Sequence, residues 1–351
     1  MKSIDLQQIS LDKLFPELGY RKKQIDFGAF DESEGRVLIV GGAGSIGGEI
    51  ARLLCENTCW NVTVADSDES RLHSLENSIA SEQRRKLATT VCDIRDEISI
   101  LQVVKNQVWN LVIHAAALKH VPVLEKQPRE AYLTNVLGTR NVIRALSQCT
   151  FERFVFVSSD KAANPKSVLG KTKLIGEYLT AGVSLQESEF VKKQGSVGVV
   201  RFGNVFLSRG SVIETFLSQM ERGENLTVTA PNMSRYFMDL RDACSLTIEM
   251  GIDTFEGVRI LKMGEPIRII ELARRLIGFT ESSAEIEIIG KKPGEKFEED
   301  LVAETESVVN TSDKYWNVSF ERKIHIDRIS ERIPTSDSEA LDVIDKLLEI
   351  Q

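Results

Sequence analysis

From Arg36 onward the chain alternates short apolar runs, rich in β-branched residues, with longer amphipathic stretches. RVLIV (36–40), NVTVA (61–65), ATTVC (88–92), LVIHA (111–115), RFVFVS (153–158) and SVGVVR (196–201) are predicted strands, with predicted helices between them. Repeated strand–helix order predicts a parallel sheet with helices on both faces. The near-continuous apolar strands agree, because a strand covered on both sides has no polar face. After Gly203 the alternation breaks into shorter elements: TFLSQMERG, LTVTAP, the helix-like RDACSLTIEMGID, VRILKMG, IIELARRLIGF and EIEIIG, then a polar tail. This is the pattern of a smaller lobe. Ser336 and Glu339 have capping-box spacing ahead of Leu341, Ile344 and Leu348, which predicts a last helix. Residues 1–35 carry apolar anchors (Leu11, Leu14, Phe15, Phe27) without a strong period and are expected to form an arm packed on the main domain. The expected organisation is an N-terminal arm (1–35), a doubly wound α/β domain (36–203), and a region (204–351) that is mainly a substrate-binding lobe with a C-terminal tail.

A chain of 351 residues with 42% hydrophobic content suits one large core with an appended lobe. The net charge of −8 is spread along the chain, with no basic run to bind nucleic acid or anionic lipid. No apolar segment approaches the roughly 18 to 20 residues of a membrane helix, and the polar start MKSIDLQQIS lacks a secretory apolar core. A cytoplasmic protein without membrane insertion is expected, with small molecules or copies of itself, in a homo-oligomer, as partners. Its five cysteines are an odd count lying mostly inside predicted elements, so disulfides are not expected. Cys55 and Cys59 are four apart on a predicted helix, but no second pair completes a zinc set, and no metal is expected.

VLIVGGAGSIGGEIARLL places Gly41, Gly44 and Gly47 after a predicted strand and at the mouth of a predicted helix. Glycines there permit a tight turn and close backbone approach, and the helix N-terminus offers N–H groups to a pyrophosphate. Asp66 ends the second strand at about the 20-residue distance that the dinucleotide fingerprint demands. Its carboxylate can bond two ribose hydroxyls but repels a 2′-phosphate, so NAD is favoured over NADP, although Arg71 stands close by in sequence. Asp93 and Ile94 follow the third strand, near the expected adenine. Ala115 and Ala116 close the fourth, where small residues leave room. The predicted main domain is therefore of the Rossmann type.

Taken together, these segments resemble the extended short-chain dehydrogenase/reductases, and more narrowly the nucleotide-sugar dehydratases that act on UDP-N-acetylglucosamine in capsule, O-antigen and flagellin-glycan pathways. The resemblance rests on VGGAGSIG (40–47), HAAALKHVPVLE (114–125), NVLGTRNVI (135–143), SSDKAANP (158–165), RFGNVFLSRGSVI (201–213), MSRYFM (233–238), KMGEPIRIIELARRLI (262–277) and KPGEKFEE (292–299), in the family's order. It implies a UDP-N-acetylglucosamine 4,6-dehydratase, a lyase acting on that or a related UDP-sugar. NAD takes a hydride from C4, water is lost across C5 and C6, and the hydride returns to C6. By position, Ser159 would lie near the 4-oxygen, Asp160 would protonate the departing 6-hydroxyl, Lys161 would be the base at C5, and Lys173 would hold the nicotinamide ribose. Lys173 and an oxidised nicotinamide near Lys161 would keep it neutral. The resemblance also carries Ser45, Ile46, Lys119 and Asn135 to the cofactor, with Lys119 reaching cofactor or substrate. It carries Asn204, Ser211, Arg235 and Glu295 to UDP. His120 reads as a hydrogen-bonded loop histidine.

Where most dehydrogenase relatives have tyrosine, four residues before Lys173, this chain has Leu169. A subgroup of the sugar dehydratases has methionine there, usually retains configuration at C5, and carries a similar segment ahead of the glycine loop. A C5-retaining enzyme is therefore expected, in which proton transfer moves to Asp160 and Lys161. A UDP-sugar 4-epimerase and a catalytically silent NAD/UDP-sugar-binding protein are the alternatives.

Overall fold

The computed structural model describes residues 9–18, 34–183, 195–253, 255–319 and 322–349; Phe27, expected as an anchor, lies outside them. Nine strands form the main sheet: β1 Arg36–Val40, β2 Asn61–Asp66, β3 Leu87–Val91, β4 Leu111–His114, β5 Arg153–Val157, β6 Ser196–Arg201, β7 Gly257–Leu261, β8 Val308–Thr311 and β9 Tyr315–Val318. Their order is β8-β9-β7-β6-β5-β4-β1-β2-β3. The first seven are parallel, and β9 runs antiparallel to both β7 and β8.

The apolar strands are buried on both faces, and alternate residues serve different cores. Leu38, Val40, Val112 and Phe154 face one helical layer, while Val37, Ile39, Leu111, Ile113 and Val155 face the other. The longer helices are α1 Ser45–Asn57, α2 Glu69–Ser78, α3 Glu97–Val104, α4 Gly138–Leu146, α5 Val168–Gly182, α6 Val212–Glu221, α7 Leu240–Ile252, α8 Ile269–Thr280 and α9 Asp337–Glu349. The chain winds outward from β1 through β2 to β3, then restarts on the other side at β4. The gap between β1 and β4 is thus a topological switch point, where such sheets bind ligands at the carboxyl ends of their strands.

Two expectations are corrected. The N-terminal anchors Leu11, Leu14 and Phe15 do not pack on the main domain. They join a third core with Phe216, Leu226, Leu272 and Leu276, and the Arg275 side chain of α8 holds Leu14 O and Glu17. Cys59 is not on a helix with Cys55: α1 ends at Asn57, leaving Cys55 buried and Cys59 exposed. No cluster of His, Cys, Asp or Glu among the described residues could hold a metal.

The part of the chain assigned by pattern mainly to the smaller lobe also contributes β7, β8 and β9 to the main sheet. Charge secures that return. Arg201, fully buried at the end of β6, pairs with Glu177 of α5 and with Glu306 ahead of β8, both at 2.7 Å, and donates to Leu301 O. The last helix has its expected cap, with Ser336 Oγ accepting from Glu339 N at 3.2 Å. No helix among the described residues is long and apolar enough to cross a membrane.

Candidate active site

At the switch point, β1 runs into the glycine loop and α1. Gly41 has φ of +78°, and a Cβ there would stand 2.4 Å from the Ala116 backbone; one on Gly47 would stand 2.5 Å from Gly41 O. No side chain caps the first turn of α1, which begins at Ser45 and Ile46 behind Gly44. These features form a cradle whose open N–H groups suit a pyrophosphate. Asp66, at the end of β2, accepts from Ala43 N at 2.9 Å and Asp68 N at 3.0 Å, which places its carboxylate beside the loop. Arg71 is turned to Asp68 at 2.9 Å. Ala115 continues β4 by donating to Val40 O.

Three of the other expected cofactor residues are occupied within the protein. Asp93 is held by the Arg95 guanidinium, which keeps its carboxyl below the usual range. Ile94 is buried against Gly138. Asn135 is buried and locks the loop after β4, accepting from Leu118 N at 2.8 Å and donating to Leu118 O and Thr172 Oγ1. Lys119 reaches solvent at this loop. Desolvation by its surroundings lowers its pKa, against Glu214, and Arg209 and Arg71 add to the lowering.

Sequence reasoning passed over Arg209. The RFGNVFLSRGSVI segment leaves β6, and Arg209 reaches back across the cradle, donating from its guanidinium to Ala43 O and from its backbone N to Ser45 Oγ at 3.1 Å. Ser211, two residues on, caps α6 through Glu214 N.

The second cluster lies where β5 ends. Ser158 N and Asp160 N donate to Val200 O and Phe202 O, prolonging the β5–β6 pairing into the SSDK turn. Gly170 of α5 lets that turn sit against the helix, since a Cβ there would stand 2.2 Å from Lys161 O. Asp160 is fully buried. Its Oδ1 accepts from Ser159 Oγ and Lys161 Nζ, both at 2.9 Å, and its Oδ2 is buried without a partner. Lys161 Nζ also donates to Asn204 Oδ1 at 3.2 Å and stands 3.8 Å from Glu299.

Lys173 does not join this cluster. It is buried, donates to Val157 O at 2.6 Å and lies over the Phe156 ring, and burial lowers its pKa to about 7 despite Glu177. Carboxylates therefore flank Lys161, contrary to the expectation that positive neighbours keep it neutral. Leu169 is buried in the helical core.

From the second lobe, Arg235 is buried with its fork bound to the Ser234, Lys296 and Phe297 carbonyls at 2.6 to 3.1 Å. Glu295 accepts from Lys292 N in its own turn. Glu299, near both Arg235 and Lys161, was also passed over. Its motif KPGEKFEE offers three glutamates and no spacing that favours one of them. His120 packs under Gly210, where a Cβ would stand 2.4 Å from its ring, as a loop histidine rather than in the Asp160 cluster.

A doubly wound sheet with a glycine cradle at its switch point and a Ser-Asp-Lys turn beside it defines a Rossmann-type extended short-chain dehydrogenase/reductase. The chain belongs to the polysaccharide biosynthesis protein family, whose sequence profile matches residues 37–319. It is 38% identical over 277 residues to the probable polysaccharide biosynthesis protein EpsC of Bacillus subtilis, covering 77% of this chain but only 45% of that protein. A UDP-glucose 4-epimerase of Rickettsia bellii is 33% identical, with 77% of this chain and 78% of the relative covered. Among solved structures, Pen from Bacillus thuringiensis superposes with a TM-score of 0.75 at 34% identity, covering 83% of this chain and 91% of Pen.

Proposed function

We propose that the protein is a C5-retaining UDP-N-acetylglucosamine 4,6-dehydratase that uses NAD. The observation that carries this reading is the hydrogen-bonded Ser159–Asp160–Lys161 cluster, with Asp160 fully buried, beside a position, Leu169, that cannot titrate. Gly41, Gly44, Gly47, Ser45, Asp66 and Arg209 would hold the dinucleotide, with Lys173 toward the nicotinamide ribose. Bound NAD would supply the hydride acceptor and donor. Ser159 passes the 4-hydroxyl proton to Asp160 Oδ1, to which it is already hydrogen-bonded, and Asp160 then delivers a proton to the departing 6-hydroxyl. Lys161 removes the C5 proton, made acidic by the adjacent 4-carbonyl, and returns it on the same face. Asn204 orients Lys161. Arg235 and Glu295 serve UDP, Arg235 by exchanging backbone carbonyls for phosphate oxygens, which its fork suits.

Incubation of the pure protein with UDP-N-acetylglucosamine is expected to yield a product lighter by one water, carrying deuterium at C5 when the reaction runs in heavy water. A C4 epimer without loss of water would instead establish an epimerase, the activity named for the Rickettsia relative. Binding of NAD and UDP without turnover on any UDP-sugar would establish a silent binder.

A further inference from the structure

One buried carboxylate in the Asp160 cluster has no part in the steps above. Glu299 lies 3.8 Å from Lys161 Nζ, 3.8 Å from Arg235 Nε and 4.0 Å from Lys296 Nζ, with its side chain 5% exposed. All three separations exceed hydrogen-bond length. Two of these cations have closer partners that take no part in the steps above: Arg235 holds three backbone carbonyls, and Lys296 holds Ala163 O and Asp300, each at 2.9 Å. Lys161 differs, because its near partner is Asp160, at 2.9 Å. Burial raises the pKa of Glu299, with Asp160 adding and Lys161, Arg235 and Lys296 opposing. Tyr236 also faces the cluster, its phenol pKa raised by burial and by carboxylates that include Asp300 and Asp160.

Lys161 must be a free amine to take a proton from carbon, yet its Nζ donates to Asp160 Oδ1 at 2.9 Å. That hold ends when Asp160 receives the 4-hydroxyl proton. We propose that the released Lys161 ammonium then closes the 3.8 Å gap to Glu299 to hydrogen-bond reach and gives it a proton, leaving the amine that abstracts the C5 proton. This inference rests on the dehydratase reading. Ammonium and carboxylate become amine and carboxylic acid. The amine lone pair takes the C5 proton while the C–H electrons move toward the 4-carbonyl. Asp160 protonates the 6-hydroxyl, which leaves as water. When Lys161 returns its proton to C5, Glu299 returns the borrowed one to Lys161, and every group regains its starting state. Glu299 acts only through Lys161 and is a positioning residue.

Turnover of UDP-N-acetylglucosamine in heavy water, read as exchange of the C5 hydrogen for deuterium, takes the base step from protonated Asp160, and parent, Glu299→Gln and Glu299→Asp are compared across pH. In the parent, exchange falls as the pH drops through the raised Glu299 pKa, because protonated Glu299 cannot accept. Glu299→Gln lowers exchange ~100-fold or more, the scale of a lost acid–base partner, and abolishes that acid limb. Glu299→Asp recovers part of the rate together with the limb, and UDP affinity, read by calorimetry, is not weakened in either variant. Parent-like rate and pH profile in Glu299→Gln overturn the proposal, as does loss of UDP binding in proportion to exchange. If the parent dehydrates UDP-N-acetylglucosamine and Glu299→Gln is indifferent, only the role of Glu299 falls. If the parent dehydrates no UDP-sugar, the dehydratase reading fails and takes the role of Glu299 with it.

Discussion

On the proposed reading, Asp160 takes the proton step at a site where Leu169, buried in the core, cannot titrate. Leu169 is buried among Val168, Ile175 and Leu179 in the core under the turn, so its contribution is packing. Leu169→Ala is expected to cost about 2–5 kcal/mol of stability in a denaturant titration, with turnover per folded molecule little changed. Asp160→Asn keeps the shape but cannot receive the 4-hydroxyl proton, and turnover should fall by ~10²–10⁴. A folded Leu169→Ala protein as inactive as Asp160→Asn would show that proton transfer has been assigned to the wrong group. Sequence adjacency made Ser159, Asp160 and Lys161 visible as a unit. It could not show that Asp160 Oδ2 is buried without a partner, because Gly203 and the segments enclosing that oxygen are distant in the chain.

Among the elements, α5 and β6 form the joint on which the site rests. α5 carries Lys173 and, one turn later, Glu177, which accepts from Ser158 Oγ at 2.5 Å and from Arg201 of β6. The same guanidinium reaches Glu306, so helix, Ser-Asp-Lys turn and the returning C-terminal strands meet at one buried cation. Arg201→Met leaves two buried carboxylates unpaired and should destabilise the protein by about 3–5 kcal/mol in urea unfolding. Stability equal to the parent's would mean that the strands return by apolar packing alone. The strands of the first half could be read from the sequence to within a residue at each end, because apolar runs between glycines and polar turns leave little choice of boundary. VRILKMG could be read as apolar, but the sheet it would join could not, since pairing is settled by neighbours far along the chain.

At the scale of the whole molecule, the chain beyond β6 and the glycine cradle are physically joined. Arg209 arrives from beyond β6 and bonds Ala43 and Ser45; burial and Arg71 lower its pKa, with Asp66 and Asp68 opposing. A dinucleotide pyrophosphate would add a further anion for it to meet. Arg209→Ala should therefore weaken NAD binding at least tenfold in calorimetric titration, the scale of one charge-assisted bond, while leaving UDP affinity within a factor of about three. Equal weakening of both ligands, or of neither, would remove Arg209 from the cofactor site.

The sequence by itself determined the doubly wound fold, the glycine cradle with Asp66 at its side, and the Ser-Asp-Lys turn, because each is encoded within about 20 residues by periodicity, chain flexibility or adjacency. Tertiary structure alone decided that the N-terminal anchors belong to the second lobe and that Lys173 turns away from Lys161. It also decided that Arg235 is braced by carbonyls and that Glu299 and Arg209 enter the two clusters. All of these depend on burial and on polar groups brought within a few ångströms across 16 to 261 residues of chain. Such encounters set proton affinities and partnerships that no local pattern records, because the energy of a charge depends on what surrounds it in space.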